Sequence, residues 1–572
     1  MARYSIYSFL GRNSAGKTAK SGGICLKILV TAALPYANGP LHLGHIRSTY
    51  LPADIYARYQ RLAGNDVLYI CATDEHGTPI VVSAEKAGKT PQEFVDYYHK
   101  KDKEEFAALG FSFDIFHRTG SKENKETATH FYNRLLEQGF IYTKEVEQPY
   151  CEKCKRFLPD RFIVGTCPHC KAERQYSDYC DSCGSTIGSG LLISPKCITC
   201  GGVPVARKSK HYFFKLSEFS GKLKEYLTGN PALQKEVVNY VVNWIDNGLV
   251  DWDISRDLNW GVPVPGESEK VFYVWFDAPI GYVSSTAALT PKWEDYWKKD
   301  SKIVHFIGKD IVYHHFLFWP AMLMGVGEGL RAPDAIAVRG YLNLEHRKFS
   351  KSRNWFVSIE EYLASFPADY LRYYQTAFTP HTVQDADFIW KDFQSKVNNE
   401  LVASIGNFVH RSLVLAAKLN GGVVPSSEGL DDEDTRVLGE ITASKEKIAK
   451  LVEGLQLKEG QEEILSLSGV FNRYLSAREP WKEKDKRKVE RTLYVCLRGI
   501  TGLSILLEPF LPFTAEKLQK MLSVPKEKVA WKNADAELVA PGLKLSEPKP
   551  IFEKVSDEKI KLQEEKLGKM AQ

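Results

Sequence analysis

Residues 27–33 read K-I-L-V-T-A-A, residues 34–40 read L-P-Y-A-N-G-P, and residues 42–45 read H-L-G-H. The first seven form a short, nearly unbroken apolar run rich in branched side chains, the pattern of a central parallel strand buried on both faces. A turn directly after such a strand places its side chains at the carboxyl edge of the sheet, where open α/β folds hold ligands. Further on, residues 54–62 read as helix and residues 67–71 as a second buried strand, with Pro52 suited to a first helical position. The stretch is therefore read as a βαβ unit with a right-handed crossover. Pro52 is also expected to break or kink the helix after His45, so that one long helix cannot be drawn there.

His42 and His45, three residues apart at a helix start, point their rings the same way beside backbone N–H groups that favour an anion, and a phosphate suits that geometry. Gly44 between them removes a side chain, so that a flat base or ribose can approach the backbone. Two histidines that simply cap a helix would leave the same tetrapeptide. A second signal lies far downstream. Residues 335–339 form another short apolar strand, followed by Gly340, Tyr341 and then Lys348-Phe349-Ser350-Lys351-Ser352, a cationic loop with two lysines flanking a serine.

The 572 residues predict about three to six domains. Hydrophobic residues at 44% with 26% charged exclude a mainly disordered chain. No run approaches the roughly 18 apolar residues of a membrane span, so no membrane association is expected. Lys plus Arg (76) against Asp plus Glu (71) leaves +5, which permits an anionic partner without arguing for one. Residues 1–26 contain several serines and basic residues and no acidic one, the composition of an organelle transit peptide and equally of a non-native extension. Residues 11–18, G-R-N-S-A-G-K-T, match the phosphate-loop pattern, but Gly22 and Gly23 and the strand at 27 leave no room for the helix such a loop needs.

Eight of the 11 cysteines form four Cys-x-x-Cys pairs: Cys151 and Cys154, Cys167 and Cys170, Cys180 and Cys183, Cys197 and Cys200. Paired thiols at this spacing point to metal, and eight thiolates suffice for two tetrahedral Cys₄ zinc sites with no open position, hence structural ones. Which pairs share a metal is not set by spacing. From Trp390 the text becomes helical, with Val397, Leu401, Ile405 and Phe408 forming an apolar stripe of a helix bundle. Beyond about residue 540 it turns into a Lys/Glu-rich tail.

Together, H-x-G-H after the first strand and K-F-S-K-S after a late one resemble the two signatures of class I aminoacyl-tRNA synthetases. The resemblance sharpens to the methionyl-tRNA synthetase family through residues 33–39 (A-L-P-Y-A-N-G), 74–79 (D-E-H-G-T-P), 252–257 (W-D-I-S-R-D), 273–282 (Y-V-W-F-D-A-P-I-G-Y) and 306–320 (F-I-G-K-D-I-V-Y-H-H-F-L-F-W-P). It runs from residue 27 to about 480, with Phe349 where the family usually has methionine, and the leader matches nothing in it. The implied reaction activates methionine with ATP to methionyl-adenylate and pyrophosphate, then transfers it to the terminal adenosine of tRNA(Met), initiator and elongator.

The resemblance implies His42, His45, Lys348 and Lys351 as catalytic groups at the phosphates, and Gly44, Gly308, Asp310 and Lys351 at ATP, with Mg²⁺. It implies Leu34, Tyr36, Trp275, Ala278, Pro279, Tyr282 and His315 around the methionine side chain, where a thioether packs well against ring edges. Asp74 would take the α-ammonium group. Two zincs would be held by nested pairs, the inner Cys167, Cys170, Cys180 and Cys183 and the outer Cys151, Cys154, Cys197 and Cys200, with adjacent pairing left open. Asn407, Arg411 and Trp481 would read the anticodon.

The expected architecture is α/β: a Rossmann-like doubly wound parallel sheet in two halves (27–145 and 211–345) around a zinc-binding insertion (146–210). A lysine-loop segment (346–389), an all-α helix-bundle anticodon-binding domain (390–540) and a charged tail (541–572) follow the leader (1–26) and the sheet. A cytoplasmic monomer is expected, with organellar import left open by the leader. A cysteine-specific synthetase is disfavoured because its zinc needs an open site of mixed ligands, and a non-catalytic RNA-binding relative because both signatures are intact. The short insertion also argues against leucine-, isoleucine- or valine-specific relatives, which carry a large editing domain there.

Overall fold

In the computed structural model, the protein is described over residues 25–177, 180, 182–183, 187, 191–298, 300–349 and 355–570. Lys351 and nearly all of the leader, including the phosphate-loop match at 11–18, lie outside the described residues. Five strands, β1 (Lys27–Ala32), β2 (Asp66–Thr73), β3 (Ile115–Arg118), β4 (Ser301–Gly308) and β5 (Ala335–Arg339), form one sheet in the order β5-β4-β1-β2-β3. Every neighbouring pair is parallel. The alternation of side chains explains the apolar runs: Ile28, Val30 and Ala32 enter the core on one face and Leu29 the core on the other, and β4 and β5 divide in the same way. The chain leaves β1 towards β3 and returns on the other side at β4, so the switch point lies between the carboxyl ends of β1 and β4.

After β1 the helical path is continuous, which corrects the break expected at Pro52. An α-turn (Leu43–His45) passes into a π-helical segment (Ile46–Tyr50) and then into an α-helix (Leu51–Leu62) with Pro52 in its first turn. The wide turn is closed by the Leu51 N–H donating to the Ile46 carbonyl, and it carries the helix into the proline without a terminus.

Between β3 and β4 a long hairpin, Ile141–Cys151 against Val205–Phe214, pairs antiparallel from Ile141↔Phe214 to Tyr150↔Val205 and carries the cysteine knuckles. The C-terminal half is helical, with Val397, Leu401, Ile405 and Phe408 all buried as the stripe requires. The first part of that stripe, Val397–Gly406, is π-helical. The segment read as a charged tail is packed against the helical half. Val555 accepts hydrogen bonds from Gln394 and Asn398 (3.1 and 2.9 Å), and the helix Asp557–Met570 buries Ile560 and Leu567. Its Lys and Glu residues fill the outer face of an amphipathic helix, and composition alone conceals that inner stripe.

One apolar core runs from the sheet into the helical half. Within it Arg372 donates to Asp54 (2.7 Å) and to the carbonyls of Pro509 and Phe510 (3.0 and 2.8 Å), joining the βαβ unit to the bundle through a buried ion pair.

Candidate active site

A cavity of about 720 Å³ opens at the switch point. The turn after β1 supplies Leu34 and Tyr36, the end of β2 supplies Asp74, and the end of β4 supplies Gly308 and Asp310. The helix Val274–Leu289 adds Trp275, Ala278, Pro279 and Tyr282, and the π-helical turn His314–Phe318 adds His315. His42, Gly44, His45 and Lys348 complete the lining, so every described residue named from the sequence for methionine, ATP or catalysis faces this one space.

At its buried end the polar atoms are mostly committed to the protein. The Tyr36 hydroxyl donates to the His76 carbonyl (2.6 Å). His315 Nδ1 lies 3.0 Å from the Ile311 carbonyl, which requires the proton there, so Nε2 accepts from the Tyr282 hydroxyl at 2.9 Å. Burial holds His315 neutral, its pKa lowered to about 4. Trp275 stacks on His314, centroids 3.7 Å apart at 19°. Asp74 is the exception: buried, with Oδ1 lacking any hydrogen-bond partner. Burial and the neighbouring Asp277 push its carboxyl well up, and Asp277 is itself paired with His76 Nδ1 at 2.6 Å. A cation placed beside Asp74 would relieve both effects.

At the other end His42 caps the helix. Its Nδ1 accepts from the Gly44 N–H (3.2 Å) and His45 Nδ1 accepts from the His42 N–H (3.1 Å). The capping alternative and the ligand alternative are thus compatible: with each Nδ1 used as an acceptor, the neutral rings carry their proton on Nε2. The rings stack 3.7 Å apart at 25°. A Cβ on Gly44 would stand 3.0 Å from the His42 ring, so the glycine makes room first for the histidine stack. A Cβ on Gly308 would stand 2.5 Å from Asp310 Oδ1, so that glycine admits the carboxylate to the strand end. Lys348 sits on a two-residue strand paired with Leu342–Leu344, beside the cavity.

Sequence reasoning missed Arg161, Arg256, Tyr341 and Asn343, which also line the cavity. Arg256 lies in the quoted W-D-I-S-R-D block and packs its guanidinium 3.8 Å from the Tyr273 ring centroid. Arg161 comes from the cysteine insertion and has no local signal at all.

The cysteines form two groups, Cys151, Cys154, Cys197 and Cys200, and Cys167, Cys170, Cys180 and Cys183, each with ligand atoms within 4.8 Å of one another. This is the nested pairing; adjacent pairing does not occur. Sulfur separations include 3.4 and 3.9 Å in the outer group and 3.6 and 3.9 Å in the inner one. A tetrahedron with metal–sulfur bonds of about 2.3 Å needs edges of about 3.8 Å, so both groups fit zinc. His169 belongs to neither.

In the helical half Asn407 is exposed and Arg411 lies one turn on, its guanidinium 5.3 Å from the ring of the half-exposed Trp481.

Paired histidines after the first strand of such a sheet, a lysine-bearing hairpin after the last, and a helix bundle beyond define a class I aminoacyl-tRNA synthetase. Family comparison agrees, matching "tRNA synthetases class I (M)" over residues 28–413 and "Anticodon binding domain of methionyl tRNA ligase" over residues 424–572. The chain belongs to the methionyl-tRNA synthetase family. It is 45% identical over 548 residues to a methionine–tRNA ligase of Methanopyrus kandleri (93% of this chain, 81% of the relative). It is 44% identical over 551 residues to one of Porphyromonas gingivalis (95% and 81%). Among solved structures, Mycobacterium tuberculosis methionyl-tRNA synthetase in complex with methionyl-adenylate superposes with a TM-score of 0.78 at 26% identity, covering 92% of this chain and 99% of that one. No helix of the described residues is long and apolar enough to cross a membrane.

Proposed function

We propose that this protein charges tRNA(Met), initiator and elongator, with methionine. The observation that carries the reading is the buried, half-unpartnered carboxylate of Asp74 in the same cavity that two stacked histidines line. Asp74 takes the substrate ammonium group, and Leu34, Tyr36, Trp275, Ala278, Pro279, Tyr282 and His315 enclose the thioether. The adenosine lies along Gly44, Gly308 and Asp310, with Asp310 bonding the ribose.

A carboxylate oxygen of methionine attacks the α-phosphorus of ATP and pyrophosphate leaves. The terminal 2′-hydroxyl of the tRNA then attacks the carbonyl carbon of the adenylate, and AMP leaves. No covalent enzyme intermediate is needed, so catalysis is positioning plus stabilisation of charge on the phosphates. His42 and His45 donate from Nε2 to phosphate oxygens, and Lys348 and Lys351 supply positive charge. Such preorganised donors typically carry about 100- to 1,000-fold each in rate. Mg²⁺ bound with the triphosphate would neutralise part of its charge. Two zincs stiffen the insertion at the mouth of the site, and Asn407, Arg411 and Trp481 meet the anticodon, the indole by stacking.

The test is ATP–pyrophosphate exchange with each of the twenty amino acids, wild type beside Lys351→Ala. Exchange with methionine alone that collapses in the variant supports the reading; exchange with cysteine, or with no amino acid, overturns it.

A further inference from the structure

A ladder of aromatic rings leads from the outer surface to the cavity. The helix Lys235–Asp246 buries one stripe, Val237, Val241 and Ile245, in the core. Tyr240 and Trp244 occupy the adjoining row, four residues apart and so neighbours on the helix surface, with ring centroids 4.2 Å apart. Tyr240 is 54% exposed and Trp244 only half-buried, so core packing does not account for this row. From Trp244 the rings continue to Tyr313 (5.2 Å), from Tyr313 to Trp252 (5.3 Å) and from Trp252 to His314 (5.1 Å). His314 stacks on Trp275, which lines the cavity, at 3.7 Å. Tyr313, Trp252, His314 and Trp275 are each half-buried as well. The outer rings meet at 58–68°, so they do not cover one another's faces as a stacked pair would.

We propose that this ladder is a stacking surface for the unpaired 3′ end of the tRNA. In the transfer step the terminal adenosine has to reach the methionyl carbonyl inside the cavity, and the ladder ends on the cavity wall at Trp275. Single-stranded nucleotides bind by laying their bases on aromatic side chains, a contact that needs no base-edge code. Half-exposed rings continuous with an active site offer that contact, and they are anchored from below because Trp244, Trp252 and Tyr313 pack on the core. Tyr240 and Trp244, farthest from the cavity, take nucleotides that precede the terminal adenosine. The inference rests on the proposed charging of tRNA.

Tyr240→Ala, Trp244→Ala and Trp244→Phe are compared with wild type in binding a labelled tRNA(Met), intact or trimmed of its last three nucleotides. Methionine-dependent pyrophosphate exchange, which needs no tRNA, stays at the wild-type level and verifies that each variant folds. Each alanine variant binds intact tRNA about five- to 150-fold more weakly, the size of one lost stacked base, whereas Trp244→Phe keeps most of the affinity. On trimmed tRNA the alanine variants and wild type bind alike, because the nucleotides that the rings hold are gone. Wild-type affinity of both alanine variants for intact tRNA, or a deficit that persists undiminished on trimmed tRNA, would overturn the proposal. So would a wild-type dimer that Tyr240→Ala converts to a monomer in sedimentation, since the rings would then belong to a contact with a second copy. If wild type charges no tRNA with methionine, the proposed function fails; if it charges normally and the alanine variants bind as it does, only the ladder fails.

Discussion

The Tyr282 hydroxyl donates to His315 Nε2 across 2.9 Å, and His315 can only accept because its other nitrogen is bonded to the Ile311 carbonyl. The two groups expected around the substrate sulfur are therefore a preset pair whose tautomer the protein has already chosen. Tyr282→Phe leaves the buried Nε2 acceptor without a partner, a loss of about 1–3 kcal/mol. The KM for methionine is expected to rise about five- to 150-fold in pyrophosphate exchange, with the KM for ATP unchanged.

Asp74 is raised by burial and by Asp277, so its proton is held above the ordinary carboxylate range in the free protein. The sign follows: a carboxyl with a raised folded pKa costs stability as pH climbs from its unfolded value through the folded one. Asp74→Asn therefore unfolds at the same or a higher temperature than wild type at pH 7, while methionine activation falls by about 100-fold or more. Calorimetry beside exchange kinetics checks both halves, and isothermal titration is expected to show proton release on methionine binding.

Asp54 behaves in the opposite sense. Although burial opposes it, Arg58 and Arg372 hold its carboxyl at about 2. The stability it contributes is present above its unfolded pKa and is lost as pH falls from about 4 towards 2. Arg372→Met leaves Asp54 less compensated in the core and is expected to cost about 3–5 kcal/mol in urea unfolding.

The nested cysteine groups make a countable prediction. Purified wild type releases two zinc ions per chain on thiol modification, read with a chromogenic chelator. Combining Cys151→Ser with Cys200→Ser removes one equivalent, because both belong to the same group, whereas Cys151→Ser with Cys183→Ser removes both. Adjacent pairing would give a different pattern for Cys151→Ser with Cys167→Ser, which would then remove only one.

Trp481 is half-exposed, with the Arg411 guanidinium 5.3 Å from its ring. Trp481→Ala is expected to lower kcat/KM for tRNA about five- to 150-fold, the loss of one stacked base, without altering pyrophosphate exchange.

The sequence by itself determined the elements whose information is local. The apolar run at 27–33 is a buried strand because its side chains must satisfy two faces at once, and the stripe from Val397 to Phe408 is a buried helical face because its spacing repeats with the turn. The cysteine pairs pointed to a metal from their spacing alone, and they gather into two groups of four. Pro52 misled because a proline forbids one hydrogen bond of an α-helix, and a π-turn supplies a different register in the same place. The tail showed its charge but not its buried stripe, because composition averages the two faces of an amphipathic helix. Only the tertiary structure decided which cysteine pairs share a group, that Arg161 reaches from the insertion into the cavity, that Tyr282 bonds His315 and that Phe349 lies on His42. Each joins residues whose separation along the chain carries no trace of their distance in space; sheet order, hairpin register and the packing of one core set those meetings, and they are properties of the whole chain folded.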